Sequence, residues 1–461
     1  MRILHAIHDF LPRHRAGSEI YAFELCRELS ASHDVSVLCA EYDPSRAHGH
    51  VTWRVYENLP VIEVVNNWMC RSFEETYRPP GVGDRIAHVL QALEPDVVHV
   101  HNLLGLSFDL PALARERSIP VVATLHDYAL VCPSGGQRIH RAERHLCDVI
   151  DTERCVRCFR ESPLQAQLSF GTLTRLTRAP GPVHRMAAAA LRRFPALTTP
   201  ATRAVRRTPT FTLTAEDIDR RLVSARRLFD EIDLFVAPSR SVAAEFERLG
   251  VPRAKMRVSD YGFLPLRRPT NARGTGDGRL RIGYVGTLAW HKGVHVLLDA
   301  VRDLPAGACE VRIFGDTGTF PDYTAALRAQ AAGLPVHFMG AFDREHAGEA
   351  YARLDVLAVP SLWMENSPLV VHEAFMAGVP VVAARIGGLA DLIEDGSTGL
   401  LYEPSSAAAL GRALRRLFEH PDERRLLARQ AAMRPVKSIA QDAREWEQTY
   451  VELLARRQGA R

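Results

Sequence analysis

Val356-Leu357-Ala358-Val359-Pro360-Ser361-Leu362-Trp363-Met364-Glu365-Asn366-Ser367-Pro368-Leu369-Val370-Val371-His372-Glu373-Ala374-Phe375-Met376-Ala377-Gly378-Val379-Pro380-Val381-Val382 is the most informative stretch of the chain. A short apolar run ends at Val359-Pro360, as a buried strand does. A loop carrying Glu365 follows. Ser367 suits an N-cap and Pro368 the first helical position, and Gly378 stops the helix. A second apolar run, Val379-Pro380-Val381-Val382, reads as the next strand. Strand, helix and strand in this order imply a parallel sheet covered on both faces.

The same alternation extends outward. Downstream of residue 280 the strand candidates are Ile282-Gly283-Tyr284-Val285, Val311-Arg312-Ile313-Phe314, Val336-His337-Phe338 and Val356-Leu357-Ala358-Val359. Upstream they are the runs 3–7, 35–38, 96–101, 120–125 and 234–237, with an amphipathic helix expected over 17–32. The Gly-rich polar stretch 269–278 reads as a linker. Two doubly wound α/β domains are therefore expected, 1–268 and 269–436, followed by a helix in 437–461 that returns to the first domain. Ligands in such sheets bind beyond the carboxyl ends of the strands, which places the expected site in the cleft between the domains.

Composition excludes little. The 461 residues are 46% apolar and 24% charged, and the formal net charge is only +4. That balance gives no nucleic-acid footprint. No apolar run reaches the ~20 residues of a membrane span, and the first residues lack a signal-peptide core. The expected location is the cytoplasm, free or peripheral on the inner face of the plasma membrane. One segment, 129–228, shows no clear strand. Within 160–230 thirteen arginines stand against five acidic residues, a net +8. This segment suits either a membrane-surface element, Leu173, Leu176 and 186–191 supplying the apolar face, or a solvated helical cover.

Glu365 in the loop and Glu373 on the helix can face one site. Each carboxylate can accept two hydrogen bonds from a vicinal diol, as ribose or hexose hydroxyls require. The amides beyond Asn366 open a helix N-terminus, which suits phosphate. Together these features resemble the Glu-x7-Glu motif of glycosyltransferase family four, the retaining group with the GT-B fold. Further motifs extend the resemblance: Gly286-Thr287-Leu288-Ala289-Trp290-His291-Lys292-Gly293, Gly387-Gly388-Leu389, Asp395-Gly396, Gly399-Leu400, Gly17-Ser18-Glu19, and Thr124-Leu125-His126-Asp127-Tyr128.

The resemblance implies a transfer of a sugar from a UDP- or GDP-sugar to a glycan or lipid-linked acceptor, in cell-envelope or polysaccharide assembly. Glu373 is implied to bind the ribose hydroxyls and Glu365 the sugar hydroxyls. Gly17, Gly286, Thr287 and the amides of Asn366, Ser367, Leu369 and Val370 are implied to line the diphosphate and sugar. Lys292 is implied to neutralise the diphosphate, so that catalysis requires no metal or other cofactor. Thr287 stands where many members carry arginine, and Arg240 is a candidate for the second cation. Ala16-Gly17 stands where the family usually has two glycines. His126 is implied to touch the donor sugar near the reacting centre. His101, Asn102 and Asp127 are candidates for the acceptor side, and Asp127 can alternatively orient His126. Retention without an assigned carboxylate nucleophile favours same-face attack, with Glu365 as a covalent nucleophile the alternative.

Other readings are an epimerase or phosphorylase on the same fold, or a non-catalytic nucleotide-sugar scaffold. A nicotinamide dehydrogenase is disfavoured because no Gly-x-Gly-x-x-Gly follows the first strand. Cys132, Cys147, Cys155 and Cys158 contain one Cys-x2-Cys pair. Four such thiols allow a structural zinc, unligated thiols or an iron–sulfur cluster.

Overall fold

The computed structural model describes residues 1–141, 143–162, 164–165, 167–169, 171, 211–266, 278–342 and 346–459. The chain folds as two units. The amino-terminal unit comprises Met1–Ala237, Ala243–Val258 and Asp442–Arg461; the carboxyl-terminal unit comprises Pro238–Val242 and Ser259–Gln441.

The amino-terminal unit is built on β1 (Arg2–Ile7), β2 (Asp34–Glu41), β3 (Val51–Tyr56), β4 (Leu59–Val65), β5 (Val97–Val100) and β6 (Val121–Thr124). A separate hairpin, β7 (Ile139–His140) with β8 (His145–Leu146), follows, and then β9 (Leu234–Ala237) and β10 (Met256–Val258). Eight of these strands form one sheet in the order β10-β9-β6-β5-β1-β2-β4-β3. Residues 3–7 of β1 and all of β5 and β6 are buried, so both sheet faces are covered. The order turns back on itself at β1, whose neighbours are β2 and β5. That pair of neighbours creates a switch point between the carboxyl ends of β1 and β5.

The sheet is mixed rather than purely parallel, because β3 runs antiparallel to β4. Glu57 and Asn58, at φ 48° and 67°, make the two-residue turn between them. The expected strandless region does contain the small hairpin β7–β8, and helices Thr152–Arg160 and Ala215–Glu231 follow. The arginine-rich part expected as a membrane or cover element lies mostly outside the described residues.

The carboxyl-terminal unit holds β11 (Leu280–Val285), β12 (Cys309–Phe314), β13 (Val336–Gly340), β14 (Val356–Val359), β15 (Val381–Ala384) and β16 (Gly399–Tyr402). Their order is β13-β12-β11-β14-β15-β16, all parallel. The switch point lies between β11 and β14. The sequence missed β16 and began β15 two residues early. Val379 instead donates to the Ala374 carbonyl and completes the cap of helix Leu369–Ala377, with Gly378 left-handed at φ 70°.

The chain leaves the first unit after Val258, earlier than the Gly-rich stretch suggested. That stretch lies, except for Gly278, outside the described residues. The final helix is Ile439–Gly459, and from Asp442 onward it is part of the amino-terminal unit. Among the described residues no helix is long and apolar enough to cross a membrane.

Candidate functional site

At the switch point of the carboxyl-terminal unit two loops meet. Loop 286–293 leaves β11, and loop 360–368 leaves β14. Gly293 has φ 74°, and a Cβ there would fall 1.8 Å from the Pro360 carbonyl oxygen. Only glycine lets the two backbones approach this closely. Leu362 N–H donates to the His291 carbonyl at 2.8 Å and locks the loops together. The pair Gly387-Gly388 packs beneath the second loop. A Cβ on Gly388 would lie 1.6 Å from the Asn366 carbonyl oxygen.

This packing brings Lys292 to Glu365. The Lys292 Nζ lies 2.8 Å from Glu365 Oε1, and Ser361 Oγ donates to the same oxygen at 2.5 Å. The Lys292 ammonium also sits 4.9 Å from the centroid of the Trp363 ring. Glu365 is 3% exposed, and a buried carboxylate needs such a cation and donor. Thr287 is exposed, and its carbonyl accepts from the Tyr284 hydroxyl at 2.8 Å. Burial pushes the Tyr284 phenol well above its ordinary range, with the Tyr323 and Glu365 charges adding to it. The Tyr284 hydroxyl is therefore a neutral donor.

Pro368, with ψ 124°, is itself the N-cap of helix Leu369–Ala377, and no side chain caps this end. Ser367 was expected in that role. Its hydroxyl donates instead to Asp260 Oδ1 at 2.6 Å and lies 2.8 Å from His372 Nε2. The first-turn amides of Leu369 and Val370 thus face a terminus without a side-chain cap. Glu373, one turn further, accepts from the Tyr351 hydroxyl at 2.8 Å. Burial, with Glu373 beside it, holds that phenol well above its ordinary range and keeps it a donor. Ser241 donates to the Gly387 carbonyl at 3.2 Å, which brings the exposed Arg240 into the neighbourhood of this loop.

In the amino-terminal unit the candidate residues follow β5 and β6. His126 Nε2 lies 2.9 Å from His101 Nδ1, and His101 Nε2 lies 2.9 Å from His5 Nδ1. Beside them His99 bridges Thr124 Oγ1 and the Tyr450 hydroxyl, each at 2.7 Å. Burial pushes His5 down to about 3 and His99 and His101 well below their ordinary range. Burial, then the charge of His8, does the same for half-buried His126, down to about 3. These imidazoles are neutral near pH 7. They can hand hydrogen bonds along the chain without adding charge.

His101 therefore does not line an acceptor pocket: it is 3% exposed and both nitrogens are engaged. It stands behind His126. Asn102 donates to Asp127 Oδ2 at 2.9 Å and accepts from Leu104 N–H at 2.8 Å, which fixes its orientation. Asp127 accepts from Ala129 N–H at 2.7 Å, and Gly136, at φ 80°, would bring a Cβ within 2.9 Å of its Cγ. Burial raises the Asp127 carboxyl, opposed by the Ala129 N–H and His8. Gly17 opens helix Gly17–Leu29, and the Glu19 carboxylate reaches back to Ala16 N–H at 3.1 Å and to His8 at 3.2 Å.

Sequence reasoning did not reach His5, His99, Tyr351, Ser361 or Asp260. A signal existed for the histidines. His99 and His101 sit two apart on one strand face, and His5 is the register partner of His99. The four clustered thiols, Cys132, Cys147, Cys155 and Cys158, line one cavity of the amino-terminal unit.

Two family models match the chain: Glycosyl transferases group 1 over residues 270–434 and Glycosyltransferase Family 4 over residues 15–159. The D-rhamnosyltransferase WbpZ of Pseudomonas aeruginosa is 32% identical over 219 residues, 45% of this chain and 56% of WbpZ. The chain spans about half the length of the curated relatives it matches. Among solved structures, Anabaena Alr3699/HepE in complex with UDP and glucose has a TM-score of 0.60 at 18% identity, over 99% of each chain. Sucrose-phosphate synthase from Thermosynechococcus elongatus has a TM-score of 0.64 at 17% identity, over 98% of this chain and 99% of that one. At these identities the likeness is one of fold.

Proposed function

Since the chain belongs to the group 1, family 4 glycosyltransferases of GT-B fold, we propose that it moves a sugar from a nucleoside-diphosphate sugar to a glycan or lipid-linked acceptor, with retention and without a catalytic metal. The observation that carries this reading is the cluster at the β11–β14 switch point. There Lys292 pairs at 2.8 Å with Glu365, in the loop that leads into a helix N-terminus that no side chain caps. A cation and backbone amides together suit a diphosphate. Glu373, one turn into that helix, suits the ribose diol.

In this scheme Lys292 exchanges its Glu365 contact for the diphosphate, and Glu365 turns to the sugar hydroxyls. Arg240 supplies the second cation that Thr287 does not. His126 offers the donor sugar a neutral hydrogen bond, Asp127 engages the acceptor, and His101 and Asn102 position these two. The bond from the anomeric carbon to the diphosphate oxygen breaks, and the bond to the acceptor oxygen forms on the same face. The acceptor's proton passes to the leaving phosphate. A nucleotide-sugar donor is supported by a protein of like fold, HepE, which is solved with UDP and with UDP-glucose.

The test is thermal stabilisation by UDP, GDP, ADP and their sugars, with wild type beside Glu373→Ala. A shift of several degrees for one nucleotide series, lost in the variant, is expected. No shift with any nucleotide, from protein shown to be folded, overturns the donor site. Once a donor is known, NMR of the product's anomeric proton reads retention directly. Donor isomerisation without an acceptor, or phosphorolysis, would favour the epimerase or phosphorylase reading.

A further inference from the structure

Half of the cysteines lie within residues 132–158, and the remaining four are scattered and buried at Cys26, Cys39, Cys70 and Cys309. The clustered four come from three different pieces of backbone. Cys132 follows the Asp127 turn, Cys147 ends the hairpin β7–β8, and Cys155 and Cys158 sit on helix Thr152–Arg160. All four line one cavity of about 30 Å³. Such a space holds an ion or a water or two, and it is too small for a sugar or a nucleotide.

One surrounding hydrogen bond fits a sulfur ligand, whereas the Cys158 thiol's own bond to the Ile139 carbonyl at 3.4 Å would be given up on binding. Arg141 N–H, in the hairpin turn, points at Cys158 Sγ at 3.3 Å. His140 also lines the cavity, but its nitrogens already meet the Arg154 carbonyl and Glu143 N–H, each at 3.0 Å. His145 and Asp151 line it too, and both face Arg154: His145 Nε2 lies 3.4 Å from its guanidinium and Asp151 Oδ1 accepts from its N–H at 2.9 Å. Four of the lining side chains are thiols. They are not among the groups whose ligand atoms already lie within 4.8 Å of one another. Binding one ion therefore requires the four sulfurs to draw closer together.

The charge balance points the same way. Arg221 is 6% exposed and donates to the carbonyls of Leu130 at 3.0 Å and Ala129 at 2.5 Å. Its ring contacts are Tyr77 and Phe108. Arg141 donates to the Ser134 carbonyl and the Gln137 side-chain oxygen. Among the described residues no carboxylate is paired with either guanidinium. A buried cation without a counter-ion is costly. A divalent ion held by four thiolates carries a net charge of −2, which two arginines cancel.

We propose that Cys132, Cys147, Cys155 and Cys158 bind a single structural zinc ion that ties the hairpin β7–β8 to helix Thr152–Arg160. Binding replaces four S–H bonds by four zinc–sulfur bonds and releases four protons to solvent. No electron moves, so no redox partner is involved. The ion stands in for a core: this segment has one hairpin of two-residue strands and one nine-residue helix. The inference is independent of glycosyl transfer.

The experiment uses the untagged full chain, purified without chelator, and measures metals by mass spectrometry. One zinc per chain is expected. A mercurial thiol reagent should release it in step with modification of four thiols. Cobalt(II) exchanged into the site should give the intense near-ultraviolet bands of tetrahedral thiolate ligation. Cys155→Ser and Cys158→Ser should each lower zinc retention more than tenfold, while Cys309→Ser keeps it. Should a serine variant not fold, the mercurial release and the cobalt spectrum of the wild type still decide. Four freely reactive thiols with no metal, a Cys155–Cys158 disulfide, or an iron chromophore each overturns the proposal. So does zinc that survives both serine variants.

Discussion

Tyr351 reaches Glu373 from 22 positions upstream, at 2.8 Å. Its hydroxyl is held as a donor, and one Glu373 oxygen is thereby oriented. Removing the hydroxyl costs a charge-assisted hydrogen bond, ordinarily about 1.5–3 kcal/mol. Tyr351→Phe should thus weaken nucleotide binding roughly ten- to a hundredfold, with the fold retained. Titration calorimetry with the nucleotide that stabilises the wild type reads this directly; unchanged affinity would separate Glu373 from the ribose. Lys292 makes a different kind of contact. Lys292→Ala leaves Glu365 buried with Ser361 as its remaining partner at this oxygen, so both affinity and melting temperature should fall. Lys292→Arg is not a neutral substitute, since a planar fork replaces a point charge. A variant that loses neither affinity nor stability would count against the ion pair.

At the scale of elements, the glycine pair after β15 decides whether the Glu365 loop can form. A Cβ on Gly388 would meet backbone atoms of Asn366 at 1.6 and 2.5 Å. Backbone cannot swing aside as a long side chain can. Gly387, at φ 51° and ψ −141°, sits where only glycine is comfortable. Gly388→Ala should displace the loop, abolish nucleotide-induced stabilisation and lower the melting temperature by several degrees, about 1–3 kcal/mol of overpacking. A variant with wild-type ligand response would sink this account. Most parallel core strands were legible because their runs of Val, Ile and Leu are buried on both faces. The hairpin of edge strand β3 with β4 was not, since Thr52 and Arg54 in β3 and Pro60 and Glu63 in β4 break the apolar pattern. The candidate site's loops were legible as sequence-local patterns around Glu365 and Lys292. Their partners were not: Tyr351, Asp260 and Ser361 acquire meaning only when β11 and β14 bring distant loops together.

Over the whole molecule, the buried histidines make stability depend on pH. His5, His99 and His101 are at most 3% exposed and neutral in the fold. The His5 Nε2 has no hydrogen-bond partner, so a proton added there finds no acceptor. In the unfolded chain each imidazole titrates near its ordinary value of about 6.5. Below that value the unfolded state binds more protons than the native one, so stability falls as pH falls. The contribution is complete above about pH 7 and drains away from pH 6.5 towards the native value, about 3 for His5. Each histidine then costs about 1.4 kcal/mol per pH unit, or about 4 kcal/mol for the three between pH 7.5 and 5.5 if they act independently. Urea unfolding at pH 7.5, 6.5 and 5.5 measures this slope. His5→Leu should flatten it by roughly a third, whatever it does to stability at pH 7.5. A slope that is flat in the wild type, or unchanged in the variant, would mean that the histidines are charged in the native protein. In that state the chain from His5 through His101 to His126 would hold more protons than neutral imidazoles do, and His126 would present a cation rather than a neutral hydrogen bond.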